Sequence, residues 1–191
     1  MLNLVVFASG NGSTLQSIID SIIKNDLNAN ISLVVSDNPN AYALTRASNA
    51  NIPTYVIKNK DFFDKDQELS EVLSNYSFDL IVLAGYLKKI GPKLLSNYKI
   101  INTHPSLLPK FGGKGMYGMH VHTAVINAKE KVSGVTLHWV NENYDEGNII
   151  SQTEVTVTEN DTPETLSSKV QIAEKIQLVN ILKKFAQQGL E

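Results

Sequence analysis

The sequence predicts an α/β fold with a mostly parallel central sheet, and three observations carry this prediction. Short apolar runs alternate with segments in which apolar residues recur at helical spacing, which is the order of βαβ units. Residues 2–8 and 80–84 are almost wholly apolar, as are strands buried on both faces of a parallel sheet. No repeat or linker interrupts the 191 residues, so we predict one domain over residues 1–191. The expected architecture is a Rossmann-like three-layer sandwich.

The first half of the chain keeps a regular alternation of strand and helix. Strand 2–8 leads through a glycine-containing turn into a helix that ends near Asn25, where its apolar periodicity stops. The later units repeat this order at the spacing of right-handed crossovers. The further predicted strands here are 31–35, 54–57, 80–84 and 99–101, and the further predicted helices are 41–50, 61–75 and 92–97.

The second half departs from that alternation. A short helix is expected over residues 123–128, and residues 134–140 alternate as a strand with one half-polar face. Residues 149–157 form the next predicted strand, which we expect to pair antiparallel with its predecessor. Pro163 fits the first turn of a long final helix that runs to about Gln188.

Composition excludes several classes of function. With 17 basic and 19 acidic residues the net charge is −2, which does not indicate a nucleic-acid or membrane surface. The absence of cysteine excludes disulfides, a thiolate nucleophile and zinc–sulfur sites. No apolar run reaches membrane-spanning length, and the N-terminus lacks the basic start of a signal peptide. We therefore expect a soluble cytoplasmic protein.

The turn after the first strand favours an anion site. Gly12, Ser13 and Thr14 stand between a buried strand and a helix, where backbone N–H groups bind phosphate. A bare turn in which Ser13 or Thr14 caps the helix is the alternative. The segment matches neither the dinucleotide fingerprint nor the Walker motif.

The strongest chemical pattern lies at the end of the fifth predicted strand. Asn102 and His104 are two residues apart, so both side chains leave the same face of the strand. In an open α/β sheet such strand ends line the ligand crevice. Asp145, in a later acidic turn, is the candidate partner that sets the charge of His104. An amide, an imidazole and a carboxylate together stabilise an oxyanion and move a proton.

Other polar residues have a structural interpretation as well as a functional one. The glycine-rich loop of residues 110–119 is either a cover for the site or a flexible connector. His120 and His122 lack a third ligand nearby, so we expect no metal there. The alternation around His138 favours a hydrogen-bonded sheet histidine over a catalyst, and Glu174 reads, from spacing alone, as a solvated helix charge.

Four segments together resemble the phosphoribosylglycinamide formyltransferases, a family of folate-dependent enzymes. They are S-G-N-G-S at 9–13, L-A-G-Y at 83–86, N-T-H-P-S-L-L-P at 102–109 and D-E-G at 145–147. The resemblance implies transfer of the formyl group of 10-formyltetrahydrofolate to the amine of N1-(5-phosphoribosyl)glycinamide, a step of de novo purine biosynthesis. It also implies a tetrahedral intermediate, no metal and a monomer or homodimer.

The resemblance also implies roles for particular residues, position by position. The catalytic residues would be Asn102, His104 and Asp145; the phosphoribosylglycinamide site would contain Gly12, Ser13, Thr14 and Glu174; and the folate site would contain Leu87, Lys88, Lys89, Ile90 and Asn102. A lysine stands in the folate segment where the family commonly has arginine. A second folate-contacting arginine of the family, on the helix predicted at 61–75, has no counterpart here.

Three alternatives share part of this pattern. A formyltetrahydrofolate hydrolase uses the same Asn, His and Asp, but we would expect a regulatory domain before the first strand. A methionyl-tRNA formyltransferase would need a basic C-terminal tRNA-binding domain. A non-catalytic phosphate-binding module would explain residues 9–14 and leave Asn102, His104 and Asp145 without a purpose.

Overall fold

The computed structural model describes residues 1–190, which form an α/β fold of seven strands and six helices. The strands are β1 (Leu2–Phe7), β2 (Ala29–Ser36), β3 (Thr54–Val56), β4 (Leu80–Leu83), β5 (Ile100–His104), β6 (Val132–Trp139) and β7 (Ile149–Thr156). The helices are α1 (Ser13–Ile23), α2 (Tyr42–Asn49), α3 (Phe62–Leu73), α4 (Pro92–Asn97), α5 (Met119–Asn127) and α6 (Pro163–Gln188).

The strands form one sheet in the order β3-β2-β1-β4-β5-β6-β7. Strand β1 pairs parallel with both β2 and β4, and β2 pairs parallel with β3. Strands β6 and β7 pair antiparallel, as the sequence predicted. The predicted α/β fold with a mostly parallel sheet is thus confirmed.

Contacts divide the chain into two compact units. The first comprises residues 1–101 and the end of the chain from Leu182, and the second comprises residues 102–181. In the first unit, β1 is deeply buried, and Val5, Val6 and Phe7 are wholly excluded from solvent. Successive side chains of a strand point to opposite faces, so burial of both faces of β1 explains its apolar sequence. A single domain over residues 1–191 stays a prediction.

The second unit has its own apolar core. Val125 of α5, Val135 of β6 and Leu166 and Val170 of α6 are fully buried together. The two helices thus cover one face of β6, and this packing fixes the strand that carries His138.

One predicted boundary is wrong. Helix α5 begins at Met119, not near residue 123, because Gly118 adopts a positive φ of 53° and starts the helix earlier. His120 and His122 therefore lie within α5. The preceding glycines obscured the helical pattern, since they have no side chains to mark a periodicity.

A buried carboxylate holds the helix that leads into β5. Asp66 of α3 is 2% exposed and accepts hydrogen bonds from the backbone N–H groups of Lys93 (2.9 Å) and Leu94 (3.3 Å). These bonds satisfy N–H groups at the start of α4 that no residue of the helix reaches. A Cβ atom on Gly91 would lie 2.1 Å from Cγ of Asp66, so only glycine fits there.

We expect Gly91→Ala to lower the free energy of unfolding by about 2–3 kcal/mol, because the new methyl group displaces the Asp66 carboxylate. Urea unfolding followed by circular dichroism measures this change. Gly10→Ala is the matched control, since a Cβ there meets no atom within 4 Å and leaves the backbone unstrained. Equal losses in the two variants would contradict this account of Gly91.

Within residues 1–190, no helix combines the length and the apolar character needed to cross a membrane.

Candidate active site

Strand β5 ends on the three residues that organise the site. Asn102 and His104 are two positions apart at its end, as the sequence predicted, and Thr103 between them points to the opposite face. His104 is 4% exposed, so its ring nitrogens depend on protein partners.

Both ring nitrogens of His104 lie beside acceptors. Nε2 is 2.8 Å from the carbonyl oxygen of Phe111, and Nδ1 is 3.3 Å from Oδ2 of Asp145. A carbonyl oxygen has no proton to give, so Nε2 must carry the proton of that hydrogen bond. An ionised carboxylate next to Nδ1 likewise requires a proton on Nδ1. The two acceptors together favour the imidazolium form of His104.

Asp145 lies in the turn between β6 and β7, where its backbone adopts a positive φ of 60°. Burial raises the pKa of its carboxyl group, but hydrogen bonds from His104 and from the N–H of Gly113 outweigh burial and hold the pKa well below its usual range. The Gly113 N–H lies 2.9 Å from Oδ2. Asp145 is thus an ionised carboxylate at neutral pH, only 10% exposed.

The side chain of Asn102 contacts His138, a residue that the sequence did not place in the site. Nδ2 of Asn102 lies 3.1 Å from Nε2 of His138, which is 2% exposed on β6. Nε2 of His138 also lies 3.6 Å from Oδ1 of Asp145, beyond normal hydrogen-bond length. His138 is a hydrogen-bonded sheet histidine, as the alternation indicated, but its partner belongs to the candidate site. The signal available in the sequence was that His138 is the single ionisable side chain of its strand.

Glu174 of α6 accepts a hydrogen bond from the Thr103 hydroxyl at 2.8 Å. The interpretation as a merely solvated helix charge is therefore wrong, because the carboxylate is held at the end of β5. Nothing in the spacing of α6 pointed to this contact, which depends on how the helix packs.

The turn after His104 is held by side chains of the neighbouring strands. Thr136 Oγ1 accepts from the N–H of Leu108 (3.0 Å) and donates to the carbonyl of Ser106 (2.7 Å), and Gln152 donates to the carbonyl of Leu108 (3.0 Å). These bonds satisfy backbone groups of a segment in which proline interrupts regular pairing. Thr136 and Gln152 were not singled out from the sequence.

The glycine-rich loop begins at the site itself. Its Phe111 carbonyl accepts from His104, and its Gly113 N–H donates to Asp145. The start of the loop therefore completes the hydrogen bonding of two candidate catalytic residues.

In the first unit, the predicted anion loop precedes α1. Gly12 adopts a positive φ of 73°, and a Cβ on it would lie 2.7 Å from Cα of Ala43. Helix α1 starts at Ser13, so Gly12 occupies the N-cap position and no side chain caps the helix. Capping by Ser13 or Thr14 is thus wrong, and the first-turn N–H groups keep their suitability for an anion.

The folate segment that the resemblance implies also lies in the first unit. Leu87 is 52% exposed, and its N–H donates to the Ser9 hydroxyl, which in turn donates to Asp37. Lys88 extends over Asp37, with Nζ and Oδ2 3.8 Å apart. An exposed apolar side chain beside exposed lysines suits a ligand with a flat ring and carboxylate groups.

The described residues, 1–190, contain no cluster of three His, Asp or Glu side chains arranged to hold a metal ion.

Comparison with known proteins identifies the family. The formyl transferase family model matches residues 2–182. The chain is 40% identical to the chloroplastic phosphoribosylglycinamide formyltransferase of Arabidopsis thaliana, over 87% of this chain and 59% of that protein. It is 38% identical to the phosphoribosylglycinamide formyltransferase of Bacillus subtilis, over 89% of this chain and 87% of that protein. The chain therefore spans less than two thirds of the plant relative and most of the bacterial one.

A solved structure gives the same result. Glycinamide ribonucleotide transformylase 1 from Symbiobacterium toebii superposes with a TM-score of 0.91 and 32% identity, over 98% of this chain and 88% of that one. The matched family model, the bacterial relative and the solved structure all point to the same family. The chain belongs to the formyl transferase family, whose members transfer a one-carbon group.

Proposed function

We propose that this protein transfers the formyl group of 10-formyltetrahydrofolate to the primary amine of N1-(5-phosphoribosyl)glycinamide, a step of purine biosynthesis. The observation that supports the proposal most is the meeting of Asn102, His104 and Asp145 around the end of β5. Such a set of two donors and a carboxylate suits acyl transfer to an amine, and the relatives carry the corresponding name.

The reaction requires one bond to form and one to break. The amine nitrogen attacks the formyl carbon, and the carbonyl oxygen becomes an oxyanion in the tetrahedral intermediate. The bond from that carbon to N10 of the folate then breaks, and the proton lost by the amine is transferred to N10. Asp145 is the base through which we route this proton, by way of a water molecule.

The two ring nitrogens of His104 differ in how closely their protein partners approach. The Nε2 proton of His104 is committed to Phe111 at 2.8 Å, whereas the Nδ1 contact with Asp145 is longer at 3.3 Å. Nδ1–H is therefore the group we assign to the oxyanion: it turns from Asp145 to the substrate oxygen when charge develops there, and the nearby carboxylate maintains the positive charge of the ring. Asn102 supplies the second donor through the Nδ2 hydrogen that does not face His138. No metal and no covalent enzyme intermediate are required.

Substrate binding is assigned by the family resemblance. Gly12, Ser13 and Thr14 bind the phosphate of the ribonucleotide, and residues 87–90 bind the folate. Glu174, held by Thr103, binds the glycinamide portion. Holding both reactants in place contributes through proximity, which lowers the entropic part of the barrier.

The deciding experiment mixes the purified protein with 10-formyltetrahydrofolate, with and without phosphoribosylglycinamide, and follows the release of tetrahydrofolate. Loss of the formyl group only when the amine is present supports the proposal. Loss without the amine indicates a hydrolase, and no loss in either mixture indicates a non-catalytic binding module. Glycine amide without the ribose phosphate is the control for the contribution of the phosphate.

We expect Thr103→Val to raise KM for phosphoribosylglycinamide about threefold to tenfold, because Glu174 loses one of the hydrogen bonds that position its carboxylate. KM for the folate and kcat should stay within about twofold in steady-state assays. Thr103→Ser keeps the hydroxyl and is the matched control. A rise in the folate KM instead would remove Glu174 from the glycinamide site.

A further inference from the structure

We infer that His138 is a positioning residue, which, as a neutral imidazole protonated only on Nδ1, orients the carboxamide of Asn102. This inference rests on the proposed function, because it concerns the donor that Asn102 presents to the oxyanion. It concerns a histidine that does not itself contact the reacting atoms.

The hydrogen-bond partners of His138 determine its tautomer. Nδ1 lies 2.9 Å from the backbone carbonyl oxygen of Trp139, which only accepts, so Nδ1 carries a proton. Nε2 lies 3.1 Å from Nδ2 of Asn102, an amide nitrogen that only donates, so Nε2 presents its lone pair. With 2% of its surface exposed, the ring has little access to water that would offer other partners.

Charge balance supports the neutral form. The ionisable groups that face His138 are Asp145, whose Oδ1 lies 3.6 Å from Nε2, and, across that carboxylate, His104. His104 lies closer to Asp145, at 3.3 Å, and its other nitrogen donates to a carbonyl. One buried carboxylate compensates one imidazolium, and a second cation in the same place would be uncompensated. The two histidines therefore hold opposite protonation states around one carboxylate.

The backbone around His138 is built to keep this arrangement. The register of β6 and β7 shifts between Leu137 and His138. Beside this shift, the backbone carbonyl of Trp139 lies next to the ring of His138. A Cβ on Gly147 would lie 1.7 Å from that carbonyl oxygen and 3.5 Å from Nδ1 of His138. Glycine at 147 thus leaves room for the carbonyl that fixes the tautomer.

The consequence for Asn102 is a defined orientation of its amide. A carboxamide without fixed partners can rotate by half a turn, which exchanges the positions of its oxygen and nitrogen at little cost in free energy. In Asn102 this rotation would place Oδ1, and not an N–H donor, near the oxyanion. The lone pair on Nε2 of His138 accepts one Nδ2 hydrogen and so favours the orientation in which the other hydrogen is available to the substrate. His138 acts through Asn102 and not on the formyl group.

The first test is spectroscopic and does not need activity. Long-range proton–nitrogen spectra of protein labelled with ¹⁵N-histidine should show His138 at pH 7 with a protonated Nδ1 and an unprotonated Nε2. The signal is assigned by its loss in His138→Gln. An Nε2–H tautomer or an imidazolium at position 138 would overturn the inference.

The second test separates His138 from the proposed function. His138→Leu removes the acceptor within a similar volume, and we expect kcat to fall about tenfold to a hundredfold while both KM values stay within about twofold, less than for the loss of a whole donor. His138→Gln keeps an acceptor near the Nε2 position and should recover most of the kcat. Equal kcat values in the Leu variant and the wild type, or equal losses in both variants, contradict the role. Failure of the proposed function is a different result, since the wild-type protein itself would then show no amine-dependent transfer.

Discussion

Asp145→Asn is expected to lower kcat by about a thousandfold, the largest effect among the variants considered. An asparagine fills the same space and still accepts from the Gly113 N–H, so the turn should persist. It carries no negative charge, however, and no longer stabilises the imidazolium of His104 or accepts the proton of the amine. In a Ser-His-Asp triad the same change in the carboxylate partner of the histidine lowers kcat by about ten-thousandfold.

Steady-state kinetics with both substrates measures this effect, and KM should change little. Glu142→Gln is the matched control, because it removes the same charge from an exposed position in the same turn and should leave kcat unchanged. Turnover of Asp145→Asn near that of the wild type would remove Asp145 from the mechanism.

The same variant has a consequence for stability. The pKa of Asp145 is lowered in the folded protein, so its ionised form stabilises the fold above the ordinary pKa of aspartate, about 4. This contribution is lost as pH falls through that value towards the lowered pKa. The difference in free energy of unfolding between wild type and Asp145→Asn should therefore be full at pH 7 and shrink below about pH 4. A difference that grows in acid would contradict the ionised state.

Asn102→Ala is expected to lower kcat by about a hundredfold or more, the cost of one donor in an oxyanion hole. The donor acts when charge develops on the formyl oxygen, so KM for either substrate should change by less than about threefold. Loss of the Nδ2 donor also leaves Nε2 of His138 without its partner, which adds a smaller structural cost.

Initial rates at varied concentrations of each substrate separate the two parameters for Asn102→Ala. Exposed Asn127, at the end of α5, is replaced by alanine as the control and should retain full turnover. A large rise in KM at constant kcat would make Asn102 a binding group only.

Local patterns were sufficient for most of the fold. Continuous apolar runs predicted β1 and β4, and Pro163 marked the first residue of α6, because these signals depend on neighbours in sequence. The start of α5 was wrong, since glycines carry no periodicity. Capping of α1 by the side chain of Ser13 or Thr14 was wrong as well, because Gly12, with its positive φ, occupies the N-cap position and the helix begins at Ser13.

Strand geometry alone places Asn102 and His104 on one face of a strand end, because residues two apart on a strand always share a face. The sequence also singled out Asp145 as a carboxylate in a turn, and the motif pattern singled out the family. Three contacts become visible only in the folded protein: Asp145 meets His104, Thr103 binds Glu174, and His138 faces Asn102. Those contacts join residues far apart in the chain, and their distances depend on the register of β6 and β7 and on the packing of α6, which no local pattern encodes.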